Sequence, residues 1–158
     1  MMQGAQEGVA LTGRVRVACF RSVGTHLLPG ALDALAVEYP GIRVDIDDAC
    51  EERDDVTRAV IEGRAEIGIA QLPVAEALTA HPYVADAYVL VVPASMQLSA
   101  PVTWEQLRDL AYIELDCSGA FAILKQCRAA GFEAEPSRTL AGDTSSAALV
   151  RHGTGYSI

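Results

Sequence analysis

The chain has 158 residues, of which 51% are hydrophobic and 21% charged, a balance typical of a globular protein. Its net charge of −9 disfavours direct binding to a nucleic-acid backbone. No stretch approaches the roughly 20 apolar residues that cross a membrane, and the first residues lack a secretion signal, so we expect a cytoplasmic protein. Four cysteines without CxxC or Cys/His spacing predict no metal, and we expect no cofactor.

The first half of the chain predicts strands that alternate with helices. Residues 1–12 show little pattern and are interpreted as a tail or the end of a linker. The segment "RVRVACF" alternates as a strand does, and the polar stretch Arg21–His26 separates it from a helix over Leu28–Tyr39. The segments "IRVDID" and "AEIGIA" predict two more strands, and between them we expect a helix whose first turn carries acidic residues that complement its positive end. This alternation predicts a mostly parallel sheet.

The second half repeats the alternation with different residues. We expect strands in "AYVLVVP", "AYIELD", "FEAEPSRTL" and "GYSI". Between them we expect a short helix capped by Thr103, a helix over Ser118–Ala130 that ends at Gly131, and a helix capped near Asp143 or Thr144. The predicted lobes are residues 13–85 and residues 86–158.

Polar residues gather where predicted strands meet predicted helices. The clusters are Arg21–His26, Asp116–Gly119 and Gly142–Ser146. Ligands of open α/β sheets bind at the carboxyl ends of strands, where helix N-termini present free N–H groups and suit an anion. Ser, Thr and Asp are also the ordinary caps of helices, so each cluster taken singly has a purely structural interpretation.

The whole order of landmarks resembles one family. "LTGRVRVACF" is followed by "SVGTHLLPGALDALAVEYPGIRVDI", "VIEGRAEIGIA", "YVLVVP", "WEQLRDLAYIEL" and "LVRHGTGYSI". With these segments the chain resembles the effector-binding regulatory domain of a LysR-type transcriptional regulator, across about residues 11–158. The resemblance implies two Rossmann-like α/β lobes of the type II periplasmic-binding-protein kind, with the second lobe and its return segment incomplete at the C-terminus.

The resemblance also implies a function and a site. An inducer, a carboxylate or aromatic acid, would bind in a cleft, and homodimers would control transcription through a helix-turn-helix that this chain lacks. The helix over 26–39 is a candidate dimer surface. Carried over by position, the implied effector-binding residues are Ser22, Val23, Gly24, Thr25, Gln71, Leu72, Asp116, Ser118 and Thr144.

Alternative functions follow from the same residues. A free-standing solute-binding protein would share the fold but would require export. A thiol redox sensor would use Cys117 and Cys127, since the family includes a peroxide-sensing branch with two cysteines in this part of the chain. No GxSxG elbow, P-loop or HExxH motif supports an enzyme. Arg21 is expected on the surface, and His26 is expected neutral in the first turn of its helix.

Overall fold

The computed structural model describes residues 11–158, which form two compact units. The first unit extends to Pro82 and the second runs from Tyr83 to Ile158. Most of the predicted tail, residues 1–10, lies outside the described residues. Thr12 was predicted to belong to this tail, but it already opens the first strand. The assignment of 13–85 and 86–158 as lobes stays a prediction.

The first unit is a three-stranded parallel sheet with helices between its strands. The elements are β1 Thr12–Phe20, α1 Arg21–His26, α2 Leu28–Glu38, β2 Gly41–Cys50, α3 Arg53–Ile61 and β3 Ile67–Ile69. Strand β1 lies in the middle and pairs with β2 and β3, so the order is β2-β1-β3.

The alternation in β1 divides the core of this unit between the two faces of the sheet. Ala18 packs with Val56, Ala59 and Ala65 from α3 and the turn after it. Val17 and Cys19 pack with Leu28 of α2 on the other side. Because successive side chains of a strand point to opposite faces, one short sequence supplies both cores.

Helix α1 corrects the prediction for Arg21–His26. This segment was expected to be a polar break, yet it forms a six-residue helix. The purely structural interpretation of Ser22 and Thr25 as helix caps does not hold, because Phe20 is the N-cap of α1, Leu27 is the N-cap of α2, and neither helix has a side-chain cap. Thr25 Oγ1 instead donates to the carbonyl of Arg21 at 2.8 Å. His26 lies in the last turn of α1 and not in the first turn of the next helix.

Helix α3 begins among acidic residues, as the sequence predicts, and two of them also form a capping box that was not predicted. The Glu52 side chain accepts from the backbone of Asp55, and the Asp55 carboxylate accepts from the Glu52 N–H at 3.0 Å. Such a reciprocal box satisfies two N–H groups that a helix start leaves without partners. After the helix, Gly63 adopts a φ of +69°, a conformation that side chains with a Cβ rarely take.

The second unit contains a smaller parallel pair of strands. Its elements are a 3₁₀ helix Trp104–Leu107, then β4 Tyr112–Leu115, α4 Ser118–Ala129, β5 Pro136–Leu140 and α5 Asp143–Arg151. Leu107, Tyr112, Phe132 and Tyr156 form its core, and the Tyr112 and Phe132 rings meet edge to face at 5.0 Å. Thr103 precedes the 3₁₀ helix without the predicted side-chain cap.

Two predicted strands of this unit are reduced to single bridges. "AYVLVVP" contributes an antiparallel bridge from Val91 to Ser157, and "GYSI" adds a parallel bridge from Tyr156 to Tyr112. Val91 exchanges both backbone hydrogen bonds with Ser157, at 2.9 and 3.0 Å. The apolar residues of these segments instead contribute to packing, since Leu90, Val92 and Ile158 all contact the hydrophobic core of the unit.

Candidate functional site

The parallel strands of the first unit bring three junctions to one edge. Strands β1, β2 and β3 end at Phe20, Cys50 and Ile69. Since all three run in the same direction, the predicted residues Ser22–Thr25 and Gln71–Leu72 follow neighbouring strand ends. The junction after β2, at Cys50–Glu52, lies at the same edge and was not predicted to be part of the site. Strand pairing alone adds it, because β2 is the other neighbour of β1.

The polar side chains of α1 face solvent, and none of the residues of this helix is buried. Ser22 and Thr25 are exposed, as is Arg21, which agrees with the surface position expected for Arg21. Val23 packs against the cluster around Leu28, so its side chain anchors the helix. Among the predicted residues of α1, the two hydroxyl side chains are therefore the groups available to a ligand.

Gly24 fixes how closely α1 approaches β2. A Cβ built on Gly24 would lie 3.0 Å from the Asp48 Cβ, a contact closer than most side chains allow. Beneath the same turn, burial raises the pKa of the Cys19 thiol, and the negative charge of Asp48 raises it further. A hydrogen bond from the Gly24 backbone to Cys19 acts in the opposite direction. This thiol therefore stays protonated and serves as packing.

The second unit forms a comparable edge after β4 and β5. These strands are parallel and end at Leu115 and Leu140, so Asp116 and Thr144 follow neighbouring strand ends. The Asp116 N–H donates to the Leu140 carbonyl at 2.8 Å. Ser118 is the first residue of α4, and Cys117 is its N-cap. Asp116 and Thr144 are both exposed.

A groove of about 540 Å³ runs beside α5 in this unit. Its wall contains Thr144, which was a predicted site residue, and Ser146, which belongs to the polar cluster Gly142–Ser146 but was not itself predicted to bind. Arg151, which was not predicted, also lines it. The Asp143 carboxylate accepts from the Thr144 N–H at 2.6 Å and from its hydroxyl at 3.2 Å. The sequence alone did not distinguish Ser146 from its neighbours, because helical spacing does not reveal which hydroxyl of "DTSS" is buried.

A smaller cavity of about 180 Å³ in the first unit is lined by charged side chains. Arg14 and Arg16 border it, and they pair with Asp45 and Glu66 respectively. Glu66 accepts from the Arg16 backbone N–H at 2.7 Å and from its Nε at 3.1 Å, and these bonds lower the Glu66 pKa to about 2. Its arginines thus have protein carboxylates as partners. This cavity carries none of the predicted site residues.

Cys117 and Cys127 belong to one helix, which bears on the redox alternative. Cys117 caps α4 and Cys127 lies ten positions later, in its last turns. At about 1.5 Å per residue their backbones are about 15 Å apart. A disulfide requires Cα atoms within about 7 Å. The pair cannot be bridged while α4 is intact.

Clusters of metal ligands and membrane-spanning helices are both absent from residues 11–158. No group of three or more His, Cys, Asp or Glu side chains in this part of the chain could hold a metal ion. None of the helices described there has the length and apolar character needed to cross a bilayer.

These two α/β units, with polar junctions at the carboxyl ends of their parallel strands, define a fold of the type II periplasmic-binding-protein kind. The sequence profile of the LysR substrate binding domain matches residues 9–158. The chain therefore belongs to the LysR substrate-binding-domain family.

A curated relative supports the same membership. The chain is 34% identical over 102 residues to the Probable HTH-type transcriptional regulator LrrA of Synechococcus elongatus. The match covers 64% of this chain and 34% of that protein. The chain thus matches about a third of the length of this relative.

Solved structures share the fold at low sequence identity. HinK, a LysR family transcriptional regulator from Pseudomonas aeruginosa, matches with a TM-score of 0.81 and 18% identity, over 93% of this chain and 52% of that one. The C-terminal domain of a probable LysR family regulator from Rhodococcus sp. RHA1 gives 0.80 and 22%, over 93% and 73%. The reduced regulatory domain of OxyR2 from Vibrio vulnificus gives 0.76 and 16%, over 98% and 74%. At these identities the likeness concerns the fold.

Proposed function

We propose that this chain is the effector-sensing part of a cytoplasmic LysR-type transcriptional regulator that acts on DNA through a helix-turn-helix outside these 158 residues. The effector is a small carboxylate or an aromatic acid. It binds to the strand-end residues Ser22, Val23, Gly24, Thr25, Gln71, Leu72, Asp116, Ser118 and Thr144, with Val23 contributing backbone. The role is sensing and not catalysis.

The observation that carries this proposal is the gathering of polar groups at strand ends. In each unit, parallel strands deliver exposed hydroxyls to one edge: Ser22 and Thr25 in the first, Thr144 in the second. Helices α4 and α5 begin at such an edge, where backbone N–H groups favour a negative ligand. A ligand that binds one conformation better than another shifts the population between them, which is the basis of a sensor.

Helix α2 supports a homodimer as the functional form. Its sequence, "LPGALDALAVE", carries only two charged residues, and Leu28 is its one buried residue. Val37 is 86% exposed on this helix. An apolar helix that leaves such a side chain in solvent is suited to a partner surface. We therefore place the dimer contact on α2.

Thermal-shift measurements on the purified chain test the effector proposal. The panel is acetate, succinate, benzoate and salicylate, and a ligand at 100 times its Kd raises the Tm by about 5–10 °C for a chain of this size. Ser22→Ala and Thr144→Ala should each reduce that shift.

Sedimentation of the same samples measures the mass of the protein in solution. A monomer at micromolar concentration would contradict the dimer.

The matched control is Ser95→Ala. Ser95 is exposed and follows the Val91 segment, which runs antiparallel to Ser157 and hence antiparallel to β4. This control hydroxyl therefore lies toward the amino ends of the strands, away from the predicted site. Full ligand shifts in both Ser22→Ala and Thr144→Ala would show that the site lies elsewhere.

A further inference from the structure

The groove beside α5 has a buried hydroxyl without a partner. Ser146 lines the groove and is only 2% exposed, so it lies at the floor. Its Oγ has no hydrogen-bond partner in the part of the chain that the structure describes. The other buried serine of this wall, Ser157, differs because its Oγ donates to the Ile113 carbonyl at 2.9 Å. Buried polar groups are normally hydrogen-bonded, so an orphaned one at a groove indicates a missing ligand or water.

The charges along the groove favour an anion near Arg151. Among the described residues Arg151 has no carboxylate partner, whereas Asp143 is engaged by Thr144. These two charged residues are eight positions apart, about 12 Å along the helix. Arg151 lines the groove together with Ala147 and Ala148, which lie one turn earlier on the same side of α5.

The remaining wall of the groove is apolar. Val91, Leu115 and Ile158 line it from the sheet side, and Ala147 and Ala148 line it from α5. Small alanines leave room beside the helix, and a volume of about 540 Å³ accommodates an aromatic ring. A ligand for this groove therefore combines an apolar body with a negative group.

We propose that the α5 groove binds an aromatic carboxylate and that Ser146 is a specificity-determining residue within it. The Ser146 hydroxyl donates a hydrogen bond to a carboxylate oxygen, and Arg151 attracts the same charge from the rim. The ring packs against Leu115 and the alanine face of α5. This inference rests on the proposed function, because it takes the groove as the second unit's share of the effector site.

Calorimetric titration of the 158-residue protein with benzoate tests the inference. Ser146→Ala should weaken benzoate binding about tenfold, which corresponds to about 1.4 kcal/mol. Ser145→Ala is the matched control, since Ser145 is the exposed neighbour on the same helix and should leave the affinity unchanged. Benzamide, which has the same shape without the charge, should bind more weakly than benzoate.

The outcomes separate this inference from the proposed function. Equal benzoate affinity in Ser146→Ala and wild type overturns the role of Ser146, while effector sensing stands. Binding of acetate or succinate, but of neither benzoate nor salicylate, overturns the aromatic class. A lower Tm of ligand-free Ser146→Ala would show that the hydroxyl has a structural partner, which also overturns the inference. If no carboxylate of the panel stabilises the wild type, the proposed function itself fails.

Discussion

Glu66 and Arg16 show how a single exposed ion pair ties two neighbouring segments together. The Glu66 carboxylate accepts from both the backbone and the guanidinium of Arg16. In return, the Glu66 N–H donates to the Arg16 carbonyl at 3.0 Å. The pair thus fixes the start of β3 against β1, and the lowered pKa of Glu66 links this contact to pH.

We predict that Glu66→Gln destabilises the protein at neutral pH and has a smaller effect at pH 3. The Glu66 pKa falls from 4.5 to about 2 on folding, so its stabilisation is present above pH 4.5 and is lost as the pH falls toward 2. Urea unfolding of wild type and variant at pH 7 and pH 3 measures the two differences. The effect at pH 7 is modest, because exposed ion pairs are screened by solvent.

The control for this prediction is Glu76→Gln. Glu76 is exposed and has no ion pair within the described residues. Because Glu76→Gln breaks no ion pair, it should leave the unfolding free energy at pH 7 close to that of the wild type. A Glu66→Gln effect that is equal at both pH values would show that the charge of Glu66 is not responsible.

At the scale of elements, α1 depends on its neighbours rather than on its own sequence. "RSVGTH" contains Ser, Val, Gly and Thr, which are weak helix formers. The helix forms because Val23 packs against the Leu28 cluster and Gly24 fits against Asp48. Local propensity therefore could not predict α1, although the sequence did indicate that polar side chains follow the end of β1.

Two glycine substitutions separate propensity from packing. Gly30 in α2 has open space around the position of a Cβ, so Gly30→Ala should stabilise the protein by about 0.5–1 kcal/mol. Gly24→Ala gains the same propensity but forces a Cβ against the strand at Asp48, and overpacking of this kind costs about 1–3 kcal/mol. Chemical denaturation measures both. Equal stabilisation by the two variants would contradict the close approach of α1 to β2.

The length of α4 leads to a prediction about the oxidation of its two cysteines. Because about 15 Å of helix separates Cys117 from Cys127, mild peroxide should not join them. Thiol titration in denaturant should then find all four cysteines, as in a reduced control. Loss of two thiols, together with a bridged peptide in the mass spectrum that disappears in Cys117→Ser, would show that α4 unwinds and would restore the redox alternative.

At the scale of the whole molecule, periodicity predicted the alternating elements and hence the parallel sheets. The alternation in "RVRVACF" and the spacing of Leu28, Leu32 and Leu35 are local, so they can be interpreted without a structure. Pairing is not local. "AYVLVVP" has the composition of a strand, but within the described residues Val91 alone of this segment has a β-bridge partner. The burial of Ser146 likewise depends on where α5 packs. The strand–helix junctions were thus predictable from the sequence, whereas the buried position of Ser146 was not.

The architecture of α1 also bears on binding thermodynamics. It has six residues, no side-chain cap and no buried residue. Its folded conformation is therefore stabilised mainly by the packing of Val23 and the close fit of Gly24 against β2. Segments of this kind open locally at a small fraction of the global unfolding free energy. An effector that contacts Ser22 and Thr25 would order this turn, and the entropy lost there would subtract from its affinity. The affinity for the effector would then depend on the fraction of ligand-free protein in which α1 is already folded.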